Sequence, residues 1–319
     1  MPEANGAATL SPRMVELNTS NVCNLRCSTC VRSWDEFEQP APVFLTLAQF
    51  DAILNRFPGL PKLQICGFSE PTLNKNVPAM IRHAKAMGVQ HVEMFTNATL
   101  LVGDIAQRLA KSGLDLLRVS IDRGDPETYR RIRGADLQKV THNVHDFAEK
   151  SGIPVRMESV LSKYAFQSAD KLPDVAHAAG ATSLAIRLLD GQDSDVGTHS
   201  VYDPDYLAGL KKRLMESCKA LGIELIMALP GEEDFPSRCT AWDEVYVDEQ
   251  GGVVPCYLLK DRVAGNLLET PYEVIQQSQR AAHEEERESN GGFLQGCCCN
   301  WALLALDRVS AQSPQGHQE

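Results

Sequence analysis

Three cysteines stand close together near the start of the chain: Cys23, Cys27 and Cys30, in the stretch NVCNLRCSTC, with no further cysteine until Cys66. Thiolates are soft anionic metal ligands. A [4Fe–4S] cluster normally takes one thiolate per iron, so three from one loop suit a cluster with one iron left open. Zinc is the metal rival, but structural zinc takes four ligands, usually in C-x₂-C pairs. Without a metal, the three are ordinary thiols. Five of the ten cysteines, Cys239, Cys256, Cys297, Cys298 and Cys299, cluster late in the chain. This uneven placement predicts two metal sites. The N-terminus has no apolar segment of the kind that directs secretion. Ten cysteines without such a signal fit a reducing cytoplasm better than a disulfide framework.

The elements that must position these residues alternate. Strand patterns at 14–18, 62–67, 91–97, 116–122, 154–161, 183–190 and 223–228 are separated by helical ones. The helices fall at 47–57, 77–88, 103–112, 126–150, 168–179 and 205–221. Strands joined through crossover helices form a parallel sheet. The expected fold is therefore α/β, a partial (β/α)6 TIM-like barrel spanning residues 1–229. Functional loops in such folds gather at the C-terminal ends of the strands, which puts the cysteine loop at the mouth. The stretch EVYVDEQGGVVPCYLL then reads as a β-hairpin about a Gly-Gly turn. With a helix near 271–288 it defines a small second module, 230–307, before a polar tail, 308–319.

The 319 residues are 43% hydrophobic and 23% charged, an ordinary composition for a globular protein, with a formal charge of −11. An acidic surface argues against a nucleic-acid partner, and no apolar run is long enough for a membrane span. No H-E-x-x-H spacing, Walker loop or G-x-G-x-x-G fingerprint occurs.

The C-x₃-C-x₂-C spacing directly after a first strand resembles the radical S-adenosylmethionine (SAM) enzymes. That resemblance implies that Cys23, Cys27 and Cys30 hold a [4Fe–4S] cluster whose open iron takes the amino and carboxylate groups of SAM. CGFSEPTL (66–73) is similar to the family's G-G-E-P turn, implying SAM contacts from Gly67, Phe68, Ser69 and Glu70. FTNATLL (95–101) and RVSIDRGDPETYRRIRG (118–134) resemble the following segments. They imply Asn97 and Ser120 as further contacts, with Asp122 nearby.

The late set, C-x₁₁-G-x₄-C followed by GCCCNW, resembles the SPASM and twitch modules that carry auxiliary clusters. Five cysteines suit one auxiliary [4Fe–4S] cluster, the twitch type, on Cys239, Cys256, Cys297 and Cys299. The last two are preferred over Cys298 because alternate residues reach different irons with less contortion. The family chemistry is reductive cleavage of SAM to a 5′-deoxyadenosyl radical, with an external flavodoxin- or ferredoxin-type reductant. Peptide-modifying relatives commonly carry a leader-binding domain before the cysteine motif, and only 22 residues precede Cys23, which weighs against the peptide route. The expected substrate is thus a small molecule, carbohydrate-like (a sugar or aminocyclitol), undergoing epimerisation or dehydrogenation. A peptide maturase and a non-catalytic iron–sulfur electron carrier are the alternatives. Cys66, beside the Gly67–Glu70 turn, is the candidate hydrogen donor for an epimerase, and Tyr257 another. Cys218 reads as core. Glu158, Arg187, Asp190 and Asp193, at strand ends, are candidates for holding an amino group.

Overall fold

The computed structural model describes residues 12–33, 41–161, 166–188, 204–229, 232, 244–254 and 263–279. Six strand–helix units follow one another. β1 (Met14–Leu17) leads to α1 (Leu47–Leu54), β2 (Lys62–Ile65) to α2 (Val77–Ala86), and β3 (His91–Thr96) to α3 (Gly103–Ala110). β4 (Leu116–Ser120) leads to α4 (Pro126–Arg133) and α5 (Leu137–Ser151), and β5 (Val155–Leu161) to α6 (Leu172–Ala178). β6 (Ser183–Leu188) leads through α7 (Pro204–Ala220) to β7 (Glu224–Ile226). Every strand from β1 to β6 pairs in parallel with its successor. This is the α/β architecture expected from the alternating pattern.

Local chemistry explains the element ends. Thr46 and Gln49 form a reciprocal capping box at the start of α1, each side chain accepting the other's backbone N–H. The helical pattern over 126–150 is two helices rather than one. Gly134 closes α4 in the left-handed region at φ 68°, and the Asp136 side chain caps α5 by accepting from Lys139 N at 3.1 Å. The pattern at 168–179 likewise divides, into a 3-10 turn over Phe166–Lys171 and then α6.

Successive side chains on a strand point to opposite faces. Val15, Leu17, Leu63, Ile65, Val92 and Met94 form one face of the sheet and are buried with Phe50, Ile53, Met80 and Ile81 from the helices. The opposite face carries Glu16, Gln64, Glu93, Arg118 and Glu158, and this polar inner face is the interior of the partial barrel.

The late hairpin forms between β8 (Glu244–Val247) and β9 (Gly252–Val254), in register Tyr246 with Val254. Asp248 Oδ1 closes its turn by accepting from the N–H groups of Gln250 and Gly252, both at 2.8 Å. β8 also pairs in parallel with β1, and β10 (Gly265–Asn266) pairs with β9. The hairpin thus extends the barrel sheet to ten strands, ordered β10-β9-β8-β1-β2-β3-β4-β5-β6-β7. No described helix is long and apolar enough to cross a membrane.

Candidate functional site

The cysteine loop leaves the C-terminal end of β1 and is tied down at several points. Glu70 N–H donates to Val22 O at 2.9 Å, Ser28 N–H to Ile132 O at 2.8 Å, and Ser33 Oγ to Cys27 O at 2.8 Å. Arg32 Nη1 donates to Asn21 O and Phe68 O, stitching the loop to the turn after β2. Cys23, Cys27 and Cys30 are free, half-buried thiols. Burial pushes the Cys23 thiol up and carries Cys27 to about 11, the Arg133 guanidinium working in the opposite direction on Cys27.

These three residues fit an iron–sulfur cluster in their donor chemistry. Buried thiols resist ionisation by themselves, but a bound metal deprotonates them outright. Among the described residues, no three Cys, His, Asp or Glu side chains converge on one point as a single-ion site would require. A cubane instead takes each thiolate on a different iron.

Beside this loop lie residues singled out after β2 and β3. Gly67 adopts φ +135°, and a Cβ there would lie 2.6 Å from the Asn18 side chain. Only glycine serves at this point. Phe68 and Ser69 are half-buried, with Ser69 Oγ donating to Asn18 Oδ1 at 2.6 Å. Asn97 reaches the cysteines directly: its Nδ2 lies 3.9 Å from Cys23 Sγ and 3.0 Å from Asn24 Oδ1. Ser120 ends β4, half-buried and in register with Glu158.

Glu70 is turned inward. Its Oε1 accepts from Thr72 N, Thr72 Oγ1 and Thr96 Oγ1, and its Oε2 accepts from Asn97 N at 2.7 Å. It is 1% exposed. The carboxylate therefore joins the turn after β2 to the end of β3. Beside it, Ala98 holds φ 55°, a left-handed conformation costing roughly 1–2 kcal/mol in a non-glycine residue. Thr96 Oγ1 accepts from Ala98 N, and Asn143 Nδ2 donates to Ala98 O.

Deeper in the barrel, Arg118 donates to Glu158 Oε1 at 2.6 Å, Glu93 Oε1 at 2.8 Å and Gln64 Oε1 at 2.9 Å, and stacks 4.0 Å over the Phe95 ring. Gln64 in turn donates to Glu16 Oε2 at 2.5 Å. Arg187 Nε lies 3.5 Å from Glu158 Oε2. Glu93 pairs with Lys62 and Glu158 with Arg187, so both carboxylates have cationic partners besides Arg118. Glu16 is held by a neutral amide. Cys66, two residues after Gln64, shares its face, and burial keeps its thiol well above the usual range.

Burial pushes Glu16 up to about 7, the Gln64 hydrogen bond offsetting only part of this, with Glu244 raising it further and Arg118 and Arg187 pulling it down. The unfolded carboxyl titrates near 4.5. The folded chain therefore holds a proton between about pH 4.5 and 7 that the unfolded chain has released. This contribution to stability is complete below the unfolded value and is lost as pH rises through the folded one. Raising pH from about 5 to 8 is expected to cost at most roughly 3 kcal/mol through this group, less because Glu16 keeps an edge open to the interior. Urea unfolding should show Glu16→Gln flattening that slope; an identical slope in the variant would remove Glu16 as its source.

Cys239, Cys256, Cys297, Cys298, Cys299, Tyr257, Asp190 and Asp193 lie outside the described residues. Cys218 is 1% exposed in the core, as its helical position suggested. Pattern reading missed Asn18, Asn24, Arg133 and the Glu16–Gln64–Arg118 chain. Asn24 was within reach, since it lies inside the cysteine spacing itself. The others have no local signature.

Residues 17–164 match the family model of the radical SAM superfamily. GTP 3′,8-cyclase of Nitrobacter winogradskyi is 30% identical over 183 residues, covering 55% of this chain and 52% of that protein. GTP 3′,8-cyclase of Brucella ovis matches over the same shares at 30% identity. The chain spans about half the length of these curated relatives. Among solved structures, Streptococcus suis SuiB bound to precursor peptide SuiA superposes with a TM-score of 0.68 at 17% identity, covering 84% of this chain and 65% of that one. The structure of anSMEcpe with bound AdoMet gives 0.66 at 18% identity, covering 85% of this chain and 79% of that one. Both share the fold.

Proposed function

We propose that the chain is a radical SAM enzyme acting on a small molecule held in the barrel interior. The observation that carries this is the placement of Cys23, Cys27 and Cys30: free thiols, tied by backbone bonds to the ends of β2 and α4, at the mouth of a parallel barrel. A [4Fe–4S] cluster bound there would supply an electron to SAM and so a 5′-deoxyadenosyl radical able to take hydrogen from an unactivated carbon.

The chain's own residues bind and orient. Gly67 lets the backbone come close to the ligand, and Asn97 and Asn24 fix the Cys23 side. Phe68, Ser69 and Ser120 line the approach. Glu16, Arg118 and Glu158 give the interior polar groups for a substrate bearing hydroxyl or amino groups. The named relatives are GTP cyclases and not sugar or aminocyclitol enzymes, so a polar small molecule is the substrate class proposed. The peptide link of SuiB comes with a likeness of fold alone. An external one-electron reductant belongs to this proposal. So does an auxiliary [4Fe–4S] cluster on Cys239, Cys256, Cys297 and Cys299, supported by their spacing.

Anaerobic reconstitution with iron and sulfide, followed by SAM and dithionite, should release 5′-deoxyadenosine. A protein that holds the cluster yet releases none would be an electron carrier instead. One observation favours inversion as the outcome: the Cys66 thiol faces the interior and stays protonated, as a hydrogen-atom donor must. Cys66→Ala should then still cleave SAM while losing product. Full product formation in that variant removes Cys66 from the reaction.

A further inference from the structure

The hairpin formed by β8 and β9 reaches the turn after β2 through two side chains. Its own tip is firmly built. Gly251 holds φ +87° and donates its N–H to Asp248 O at 3.1 Å, and Asn266 Nδ2 donates to Gln250 O at 3.0 Å. Glu249 sits in this tip, half-buried. Asn18, the first residue after β1, meets the hairpin twice: its N–H donates to Val247 O at 2.8 Å and its Nδ2 to Glu249 Oε2 at 2.8 Å. The other end of the same amide faces the turn after β2. Asn18 Oδ1 accepts from Ser69 Oγ at 2.6 Å, and the Asn18 side chain occupies the space that a Cβ on Gly67 would need.

The direction of these bonds follows from the groups themselves. A carboxylate only accepts, so Glu249 draws the Nδ2 end of the Asn18 amide and turns Oδ1 to Ser69. The Ser69 hydroxyl has one hydrogen, which Oδ1 takes, so its oxygen has only lone pairs left for a ligand. A ligand group meeting Ser69 Oγ then has to be a donor, as the amino group of SAM is. Docking of the hairpin does not depend on Glu249, because β8 already pairs with β1 from Met14 with Glu244 to Leu17 with Val247. A hairpin tip ordinarily keeps a carboxylate in water; here it turns inward onto Asn18. Burial pushes the Glu249 carboxyl up, with Asp248 adding to this and the Asn18 amide and the Arg32 cation among the groups working against it. Arg32 also donates to Phe68 O, in the same turn that Ser69 belongs to.

We propose that Glu249 is a positioning residue for SAM: through Asn18 it holds the Ser69 hydroxyl as an acceptor and keeps the Gly67–Ser69 turn in its binding shape, so the late hairpin completes a site otherwise built on the barrel. This rests on the reading of the chain as a radical SAM enzyme whose turn after β2 contacts SAM. A contact of this kind acts by locking the rotamer of the residue that meets the ligand.

The test uses the whole chain, reconstituted anaerobically, with iron and sulfide counted and labelled SAM bound in equilibrium dialysis. Glu249→Met keeps the length and loses the carboxylate. It should hold the wild-type iron count and bind SAM roughly fivefold more weakly, the weight of one ordinary net hydrogen bond. Glu249→Gln, whose carbonyl can still accept from Asn18 Nδ2, should bind SAM as wild type does. In the double variant Ser69→Ala, Glu249→Met, the second change should add nothing to the loss from Ser69→Ala alone, as expected of groups acting in one chain. Unaltered SAM affinity in Glu249→Met at unaltered iron content overturns the proposal, as do losses that simply add or a Glu249→Gln protein as weak as Glu249→Met. Should Glu249→Met shed its iron, Glu249→Asp, which draws the carboxylate back by one methylene, must weaken SAM binding; wild-type affinity there also overturns it. A wild-type protein that takes up no cluster, or that holds one and binds no SAM, would instead sink the radical SAM reading itself.

Discussion

Cys27→Ala is expected to strip the cluster from the chain and lower 5′-deoxyadenosine release by roughly 100-fold or more, since even the loss of a contact that merely supports a metal ligand costs 10–100-fold. Cys27 is the most constrained of the three thiols. Its carbonyl accepts both Ser33 Oγ at 2.8 Å and Cys30 N at 3.0 Å, and the next residue is bonded to α4. The loop should therefore survive the substitution with its backbone in place, so lost activity would report on the sulfur and not on misfolding. Iron counting and an assay for 5′-deoxyadenosine check both halves. Cys218→Ala is the matched control, because Cys218 is buried in the core away from the loop and should keep its iron. Retained iron and retained turnover in Cys27→Ala would remove this loop from the chemistry.

Glu70→Ala is expected to destabilise the chain by at least roughly 1–3 kcal/mol, the cost of leaving even one buried donor without its acceptor. Four donors lose their acceptor together: Thr72 N, Thr72 Oγ1, Thr96 Oγ1 and Asn97 N. Glu70→Gln should fall between the two. Its carbonyl can replace Oε1 for three of those donors, but its amide then meets the Asn97 N–H donor to donor. Because Asn97 also contacts Cys23 and Asn24, SAM affinity should fall in the order wild type, Gln, Ala. Denaturant unfolding and SAM titration measure the two effects. A Glu70→Ala variant within about 1 kcal/mol of wild type would show that the network contributes little.

Much of the barrel was legible along the chain because its signals are local. Apolar period, capping residues and helix-ending glycines lie within a few positions of the element they define, and the strand–helix alternation they predicted is the one formed. The break at Gly134 shows the limit of that reading: two consecutive helices carry one continuous apolar pattern, and only the left-handed cap and the Asp136 side chain separate them. The cysteine loop was legible for a similar reason, since its three donors fall within eight residues of one another.

What the tertiary structure decided is which distant groups meet. Glu16, Gln64, Glu93, Arg118 and Glu158 come from five strands, and their contact follows from strand register, which no short window records. The inward turn of Glu70 depends on where β3 ends, and the tie of the cysteine loop to the end of α4 is the bond from Ser28 N to Ile132 O. The hairpin, legible as a hairpin, gave no sign that β8 would lie beside β1. Periodicity says which face of a strand is buried; it is backbone pairing, between segments as much as 230 residues apart, that chooses the neighbour.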